Sequence, residues 1–326
     1  MSTVLIKNAT LVRDNLKEAD VFIKDGVITK IGRVDRGADT VVDGTGKHLF
    51  YGFFDMHAHL REPGFEGKET IASGVRAAVN GGFTDIACMA NTNPVNDNKV
   101  VTEYILNHAG KEGYAHVYPV GAITKGSLGT ELSEMAAMKA AGVIAVSDDG
   151  KPVSDGRVMR LALEYADSLG LKVLSHSEDK SLSGDGVANE GLNSDICGLK
   201  GITRAAEEAA VAREMILSET FSVPVHLCPV STRGAVELIR FFKKKGVRVT
   251  AETCPHYFAL NDDCIRTLDT FTKVNPPIRT EDDRTAIIEG IMDGTIDVIA
   301  TDHAPHSAAD KNTTYDDAAF GISGLE

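Results

Sequence analysis

From residue 49 onward, hydrophobic and polar positions follow one repeating pattern. Eight apolar runs of strand length alternate with polar-rich segments of helix length. Runs rich in valine, isoleucine and leucine with little alternation are typical of parallel strands buried on both faces. Eight such alternations predict an α/β fold, a (β/α)8 TIM-like barrel. The runs are LFYGFFDMH, TDIACMAN, AHVYPVGAI, GVIAVSDD, LKVLSHSE, VPVHLCPVS, VRVTAETCPH and DVIATDHAP.

The first 48 residues have a different pattern, in which short β-like runs alternate with turns. The segments KDG (24–26) and DGTG (43–46) are hairpin-turn signals. A β unit of this length is too short to bury its own apolar face. We therefore predict a partial β-sandwich domain over residues 1–48 and a barrel domain over residues 49–326.

The last strand is predicted to end near Ala304, and residues 305–326 have loop character. No segment of helix length follows this strand. We therefore expect a barrel that is truncated after strand eight and incomplete at its C-terminus. Such a barrel would leave one apolar face of the sheet exposed.

Composition limits the class of partner. The chain has 34 Lys and Arg against 47 Asp and Glu, a formal charge of -13, which argues against binding nucleic acid or anionic membranes. Its five cysteines are widely spaced, without a CxxC pair, as expected for reduced thiols in a cytoplasmic protein. The N-terminus lacks signal-peptide features, and no apolar run approaches the roughly 20 residues of a membrane span.

Polar residues with chemical potential fall at the ends of the predicted strands. In a barrel of this type the carboxyl ends of all strands meet at one mouth, where active sites lie. Residues far apart in sequence are therefore expected to converge there. They are His57, His59, Asn91, Asp148, Asp149, His176, His256, Asp302 and His306.

The HAH segment offers two metal ligands. His57 and His59 point to the same side of an extended strand, because side chains alternate. Alone, the segment is equally compatible with a pair of polar residues at a strand end. Two histidines joined by His176, Asp149 and Asp302 from other strands favour a metal-dependent hydrolytic site.

Seven segments occur in a characteristic order: DMHAHLREPG, MANTNPVND, SDDG, SHSED, TAETCPHY, VNPPIR and ATDHAPH. With them the sequence resembles the dihydroorotases of the amidohydrolase superfamily, from the N-terminus to Glu326. REPG and NTNP distinguish it from hydantoinases and allantoinases. Those relatives usually carry a carboxylated lysine at the end of strand four, where this sequence has VIAVSDD and no lysine.

The resemblance implies a cyclic-amide hydrolase of pyrimidine biosynthesis, which reversibly cyclises N-carbamoyl-L-aspartate to dihydroorotate. It implies zinc as the cofactor, with His57, His59 and Asp302 at the first metal. Asp149 would bridge to a second metal held by His176. A metal-bound hydroxide would attack the ring carbonyl, and Asp302 would be the catalytic residue that carries the proton to the leaving nitrogen.

Arg61 lies two residues beyond His59, on the same face of an extended strand, and its guanidinium can bind a carboxylate in a fork. Alternatively, Arg61 forms a surface salt bridge with Glu62 or Glu66. Asn91 and Asn275 could instead be turn residues that precede prolines, and His306 a solvated loop residue. The substrate contacts that the resemblance implies are His59, Arg61, Asn91, Asn275, His306 and the backbone of Phe320 and Gly321.

One position departs from the family pattern. Strand six usually ends in His-x-Cys-His-x-Ser-Thr, whose last histidine binds the second metal, whereas this sequence reads HLCPVST with Pro229 there. Proline has no side-chain donor. His226 lies three residues earlier, about 10 Å along an extended strand and on the opposite face. We expect one well-formed zinc site and a weak or empty second site.

Two rival functions are compatible with parts of the sequence. A catalytically impaired dihydroorotase-like chain, which also lacks the family's C-terminal strands, could act as a structural partner of aspartate transcarbamoylase. The retention of every other expected ligand favours an active enzyme instead. Another cyclic-amide hydrolase is opposed by Arg61 and Asn91. A small-molecule substrate is expected, and a homodimer is left open.

Overall fold

The computed structural model describes residues 2–12 and 17–326. Contacts divide the chain into two compact units, Met1–Phe53 and Phe54–Glu326. Residues 1 and 13–16 of the predicted β domain lie outside the described part. Among the helices of the described residues, none combines the length and the apolar character that crossing a membrane requires.

The first unit is a five-stranded sheet built around Thr3–Leu11. This strand pairs antiparallel with the second and parallel with the fourth and fifth strands. The KDG segment forms the predicted turn, with Asp25 and Gly26 both in the left-handed region at φ 49° and 79°. The other strands are Lys17–Lys24, Val27–Gly32, Thr40–Asp43 and His48–Leu49.

Each of the eight predicted barrel runs contains a strand, and the strands form one parallel sheet in chain order. A bridge between Ala58 and His303 joins its two ends, and the amide of His59 donates to the carbonyl of His303 at 2.8 Å. The (β/α)8 barrel is therefore confirmed. The strands are Phe53–Ala58, Phe83–Cys88, His116–Gly121, Ala145–Val146, Lys172–Ser175, Val225–Leu227, Val249–Thr253 and Val298–Ile299.

The barrel helices begin at polar residues that cap them. The side chains of Asn98, Asp155 and Thr232 accept hydrogen bonds from amides of the first turn, which have no partner inside the helix. The longer helices are Ile71–Asn80, Lys99–Glu112, Met135–Ala141, Gly156–Ser168, Arg204–Phe221, Arg233–Lys244 and Glu281–Met292. Shorter elements are the helices Lys180–Ser183, Leu192–Cys197, Pro255–Ala259 and Ala308–Lys311, the 3-10 turns Lys125–Ser127, Asp262–Thr267 and Thr270–Thr272, and the strand pair Ala188–Asn189 and Gly201–Ile202.

The main hydrophobic core lies between the strands and the surrounding helices. Val173 and Leu227 of the strands are buried in one cluster with Met159 and Ile239 of the helices. Burial on both sides makes the strands a firm base for the residues that follow them. The eighth strand ends at Ile299, earlier than predicted, and Asp302 just beyond it has a left-handed φ of 47° that a continuing strand does not tolerate.

Candidate metal and substrate site

His57 is fully buried and held by a carboxylate. Its Nδ1 donates to Oε1 of Glu252 at 2.6 Å. This bond leaves Nε2 as the free nitrogen, 3.5 Å from Oδ1 of Asp149 and 3.4 Å from Oδ1 of Asp302. Among the described residues Nε2 has no hydrogen-bond partner. Nε2 of His57 is therefore buried, has no hydrogen-bond partner in the described part of the chain and faces two acids, while Glu252 fixes the orientation of the ring. These are the properties expected of a histidine that binds a metal ion.

His59 presents its Nε2 to the same two acids. Its Nδ1 donates to Oδ1 of Asn91 at 2.8 Å, while Nε2 lies 3.1 Å from Asp302 and 3.5 Å from Asp149. In a tetrahedral zinc site with bonds of about 2.0–2.1 Å, donor atoms lie about 3.4 Å apart. The spacing of the histidine nitrogens from the two carboxylates therefore fits a metal ion.

Asp149 lies between the two histidines, His57 and His59, and a third histidine, His176. Nδ1 of His176 is 3.4 Å from Oδ1 of Asp149, and its Nε2 is 3.3 Å from Oε2 of Glu178. Burial opposes the ionised form of Asp149, but His57 and His176 hold the pKa of that carboxyl well below its ordinary value. Burial likewise opposes the charged form of His176, yet its hydrogen bonds to Asp149 and Glu178 raise its pKa to about 9.

Pro229 is buried just beyond the sixth strand and offers no ligand atom. His226 does not replace the missing histidine, because both of its nitrogens are engaged. Nδ1 contacts Oγ1 of Thr250 at 2.8 Å, and Nε2 donates to Oε2 of Glu252 at 3.0 Å. Glu252 thus accepts hydrogen bonds from both His226 and His57. His226 therefore stabilises the carboxylate that orients His57.

Three groups of side chains in the described part of the chain have ligand atoms close enough for one metal ion. Only one of them combines two histidines with an acid, and it contains three of the five residues predicted to bind metal. The groups are His57, His59 and Asp149; His57, Cys228 and Glu252; and Cys254, His256 and Asp302.

A cavity of about 350 Å³ opens over this cluster, a volume that suits a small molecule. His57 lies beneath it, and His306 is not among its lining residues. The structure therefore brings most predicted site residues to one cavity. Those at its wall are His59, Arg61, Asn91, Asp149, His176, Asn275, Asp302, Phe320 and Gly321.

Arg61 borders the cavity without a carboxylate at salt-bridge distance in the described residues, so the alternative of a surface pair with Glu62 or Glu66 is not observed. Its Nε donates to the carbonyl of Pro305 at 3.2 Å, and a terminal nitrogen lies 3.3 Å from Nε2 of His306. A partly buried guanidinium without an acid at salt-bridge distance provides a site for an anion.

His306 is neutral and lies next to Arg61. Burial and the nearby Arg61 lower its pKa to about 4. One ring nitrogen is then a donor and the other an acceptor. Nδ1 accepts from Nζ of Lys68 at 3.3 Å, and Nε2 donates to the carbonyl of Phe320 at 2.7 Å. These contacts do not support the alternative that His306 is a solvated loop residue, and its contact with substrate stays a prediction.

Sequence reasoning missed Glu252 and Glu178. Glu252 stands within the TAETCPHY segment at the end of a buried strand, where a fully buried acid is unusual unless it is paired. Glu178 follows His176 by two residues and accepts hydrogen bonds from Nδ2 of Asn275 at 3.1 Å and Nζ of Lys180 at 2.6 Å. The rule that selected His57 and His176, polarity at a strand end, would also have found both acids.

Comparison with known proteins gives the family. A family model described as Dihydro-orotase-like matches residues 46–235. A protein named Dihydroorotase from Acetivibrio thermocellus is 53% identical over 308 residues, 94% of this chain and 72% of that protein. The chain belongs to the dihydroorotase family. A second dihydroorotase, from Syntrophotalea carbinolica, is 55% identical over the same shares of the two chains.

Solved structures support the fold of this dihydroorotase-family chain. An L-hydantoinase (dihydropyrimidinase) from Arthrobacter aurescens superimposes with a TM-score of 0.86 at 23% identity, covering 100% of this chain and 75% of that one. The comparisons confirm the predicted class, an enzyme of the cyclic amidohydrolases, and none of them favours a structural partner over it.

Proposed function

We propose that this chain catalyses the reversible cyclisation of N-carbamoyl-L-aspartate to dihydroorotate. The observation that carries the proposal is the pair of imidazole Nε2 atoms of His57 and His59. Both face Asp149 and Asp302 at 3.1–3.5 Å below a cavity bordered by Arg61. Metal chemistry and anion recognition meet there, as hydrolysis of an anionic cyclic amide requires.

The donor set fits zinc, with two imidazoles and two carboxylates at suitable spacing. His57, His59 and Asp302 would hold the ion, and Asp149 would contact it from the side of His176. When bound, a divalent ion polarises the amide carbonyl and lowers the pKa of water. Glu252 keeps Nε2 of His57 free for this role by accepting the hydrogen bond of Nδ1–H.

Asp302 is the proposed proton carrier. Its side chain is 13% exposed and reaches the cavity, so that it can accept a proton from the attacking water and deliver it to the ring nitrogen that leaves. Arg61 would bind the substrate carboxylate. Because Oδ1 of Asn91 accepts from His59, the Nδ2 group of Asn91 remains as a donor for the same carboxylate.

Asn275 and the backbone of Phe320 and Gly321 are proposed to contact the ring, with His306 donating to the Phe320 carbonyl. We also propose a cytoplasmic location, with five free cysteines among the described residues as support. The division at residues 48 and 49, a homodimer and an aspartate transcarbamoylase partner remain predictions. Light scattering of the chain alone and mixed with that enzyme tests the last two.

The decisive test is dihydroorotate hydrolysis, followed by the loss of ultraviolet absorbance of the substrate. Chain purified without chelator and supplied with zinc is expected to turn over dihydroorotate, and chelator treatment is expected to abolish the rate until zinc is returned. Hydantoin serves as the comparison substrate. Turnover of hydantoin but not of dihydroorotate would assign another cyclic amide, and inactivity on both would favour the structural-partner hypothesis.

Replacing Pro229 with histidine is expected to create the second metal site. The new imidazole would join His176 and Asp149, and bound zinc should rise from about one to about two ions per chain. Elemental analysis after gel filtration gives the count. Pro229→Ala is the matched control, since it removes the proline without adding a donor. Two tightly held ions in the unaltered chain would contradict the prediction.

A further inference from the structure

Two buried lysines lie at the cavity wall: Lys273 is one of its lining residues, and Lys311 contacts the carbonyl of Lys273 at 3.4 Å. Lys273 is 2% and Lys311 is 4% exposed. Neither ammonium group lies at salt-bridge distance from a carboxylate in the part of the chain that the structure describes. Buried lysines without a paired acid are rare, because a charge is costly to bury unless it is hydrogen-bonded. The hydrogen-bond partners of the two ammonium groups therefore indicate the role of these lysines.

Lys273 is bonded to the segment that ends at the cavity. Its Nζ donates to the carbonyls of Tyr315 at 2.9 Å and Asp316 at 2.8 Å, and lies 4.6 Å from the ring centroid of Phe320. Its own carbonyl accepts from the amide of Gly321 at 2.9 Å. One residue thus contacts the segment 315–321 at both of its ends.

Lys311 holds the same segment from a second direction. Its Nζ donates to the carbonyls of Ala319 at 2.7 Å and Thr270 at 3.0 Å, and lies 3.4 Å from the carbonyl of Lys273. The carbonyls of Tyr315, Asp316 and Ala319 lie in irregular backbone, where no helix or sheet in the described part of the chain supplies them with a donor, whereas the carbonyl of Thr270 also accepts from the amide of Lys273 at 3.1 Å. The two ammonium groups therefore supply the hydrogen bonds that regular structure would otherwise provide.

The segment held in this way forms part of the cavity wall. Phe320 and Gly321 line the cavity, and the carbonyl of Phe320 accepts from His306, which contacts Arg61. Gly321 has φ 137°, and a Cβ there would lie 2.5 Å from the carbonyl oxygen of Ala304. The backbone is thus packed tightly on one side and held by the lysines on the other.

We propose that Lys273 and Lys311 are positioning residues for substrate binding, which hold the Phe320–Gly321 backbone at the cavity. The inference rests on the proposed function, since it assumes that this backbone contacts the substrate. An apolar side chain of equal length would fill the space but leave the carbonyls without donors. Because the side-chain hydrogen bonds of both lysines within the described residues go to carbonyls and not to His57, His59, Asp149 or Asp302, their loss should weaken substrate binding and leave the chemical step intact.

The test uses zinc-loaded Lys311→Met. Its KM for dihydroorotate is expected to rise about tenfold, with kcat changed by less than about twofold, as for loss of charge-assisted hydrogen bonds that act on binding alone. In hydrogen–deuterium exchange, peptides covering 313–321 should exchange faster, while peptides of Lys172–Ser175 should not. Lys139→Met is the control, since this exposed lysine contacts the carbonyl of Gly170 at 3.5 Å, away from the cavity.

Each other outcome has a defined meaning. An unchanged KM, or a loss confined to kcat, overturns the positioning role, and faster exchange throughout the barrel assigns the lysine to general stability. Failure of the unaltered enzyme to hydrolyse dihydroorotate would refute the proposed function instead, and local exchange would still decide whether Lys311 holds the segment. Lys273→Met repeats the measurement if Lys311→Met is insoluble.

Discussion

Asp302→Asn is expected to lower kcat for dihydroorotate hydrolysis by about 10³-fold, within the range typical for loss of a general acid–base group. Asparagine keeps the size of the side chain and an oxygen to face His57 and His59, which lie 3.4 and 3.1 Å from Oδ1 of Asp302. It cannot take up the proton from water or return one to the leaving nitrogen. Initial rates at saturating dihydroorotate measure the effect.

Asp302 has two proposed roles, so the zinc content of each sample must be measured with the rate. If zinc remains bound, the loss of rate measures the contribution of Asp302 to proton transfer. If zinc is lost, the loss of rate shows that Asp302 is needed to bind the metal. Asp35→Asn is the control, since Asp35 is an exposed acid of the first unit that pairs with Arg33 at 3.1 Å. A variant that keeps zinc and more than about a tenth of the rate would exclude Asp302 as the proton carrier.

The order of the barrel strands could be predicted because each run is apolar on both faces. The lengths of the strands could not be predicted, because polar side chains at the strand ends bond to backbone amides of neighbouring segments and so end the regular pairing. In the run GVIAVSDD only Ala145 and Val146 form a strand. Asp148 instead accepts hydrogen bonds from the amides of Ile123 at 2.8 Å and Thr124 at 3.1 Å. This contact also separates Asp148, a structural residue, from Asp149, which faces the histidines.

The main residues of the candidate site could be found because a barrel gathers its strand ends. Alternation along the strand placed His57 and His59 on one side, and the mouth of the barrel brought Asp149 and Asp302 to them. The sequence does not specify which acid contacts Nδ1 of His57, since that depends on how strands one and seven are arranged across the barrel. The strand-end rule would find Glu252 as a polar residue, but its contact with Nδ1 of His57 could be assigned only from coordinates.

The wall formed by residues 305–322 was predicted as loop, and most of it is irregular, apart from the helix Ala308–Lys311 and the bridge between His303 and Ile322. Its conformation depends on side chains that bond to carbonyls rather than on periodicity. Lys311 resembles a surface lysine in sequence, and only its burial and its three carbonyl contacts reveal another role.

His57→Asn is expected to lower zinc affinity by more than 100-fold and to abolish hydrolysis, because it removes a ligand rather than an outer-shell partner, whose loss typically costs about 10–100-fold. The side-chain amide of asparagine can still donate a hydrogen bond to Glu252. The buried carboxylate then keeps two donors, this amide and His226. The pKa of Glu252, which burial would raise, is held at about 2 by His57 and His226. Loss of His57 should therefore raise it.

Competition between the protein and a colorimetric zinc chelator measures the affinity, and circular dichroism shows whether the variant is folded. His116→Asn is the matched control, because this histidine is 81% exposed and its only charged contact in the described residues is Asp85. If a folded His57→Asn variant retained zinc with unchanged affinity, His57 would not be a ligand. The orphaned Nε2 would then need another partner, and the proposed metal site would lose the residue on which its geometry depends most.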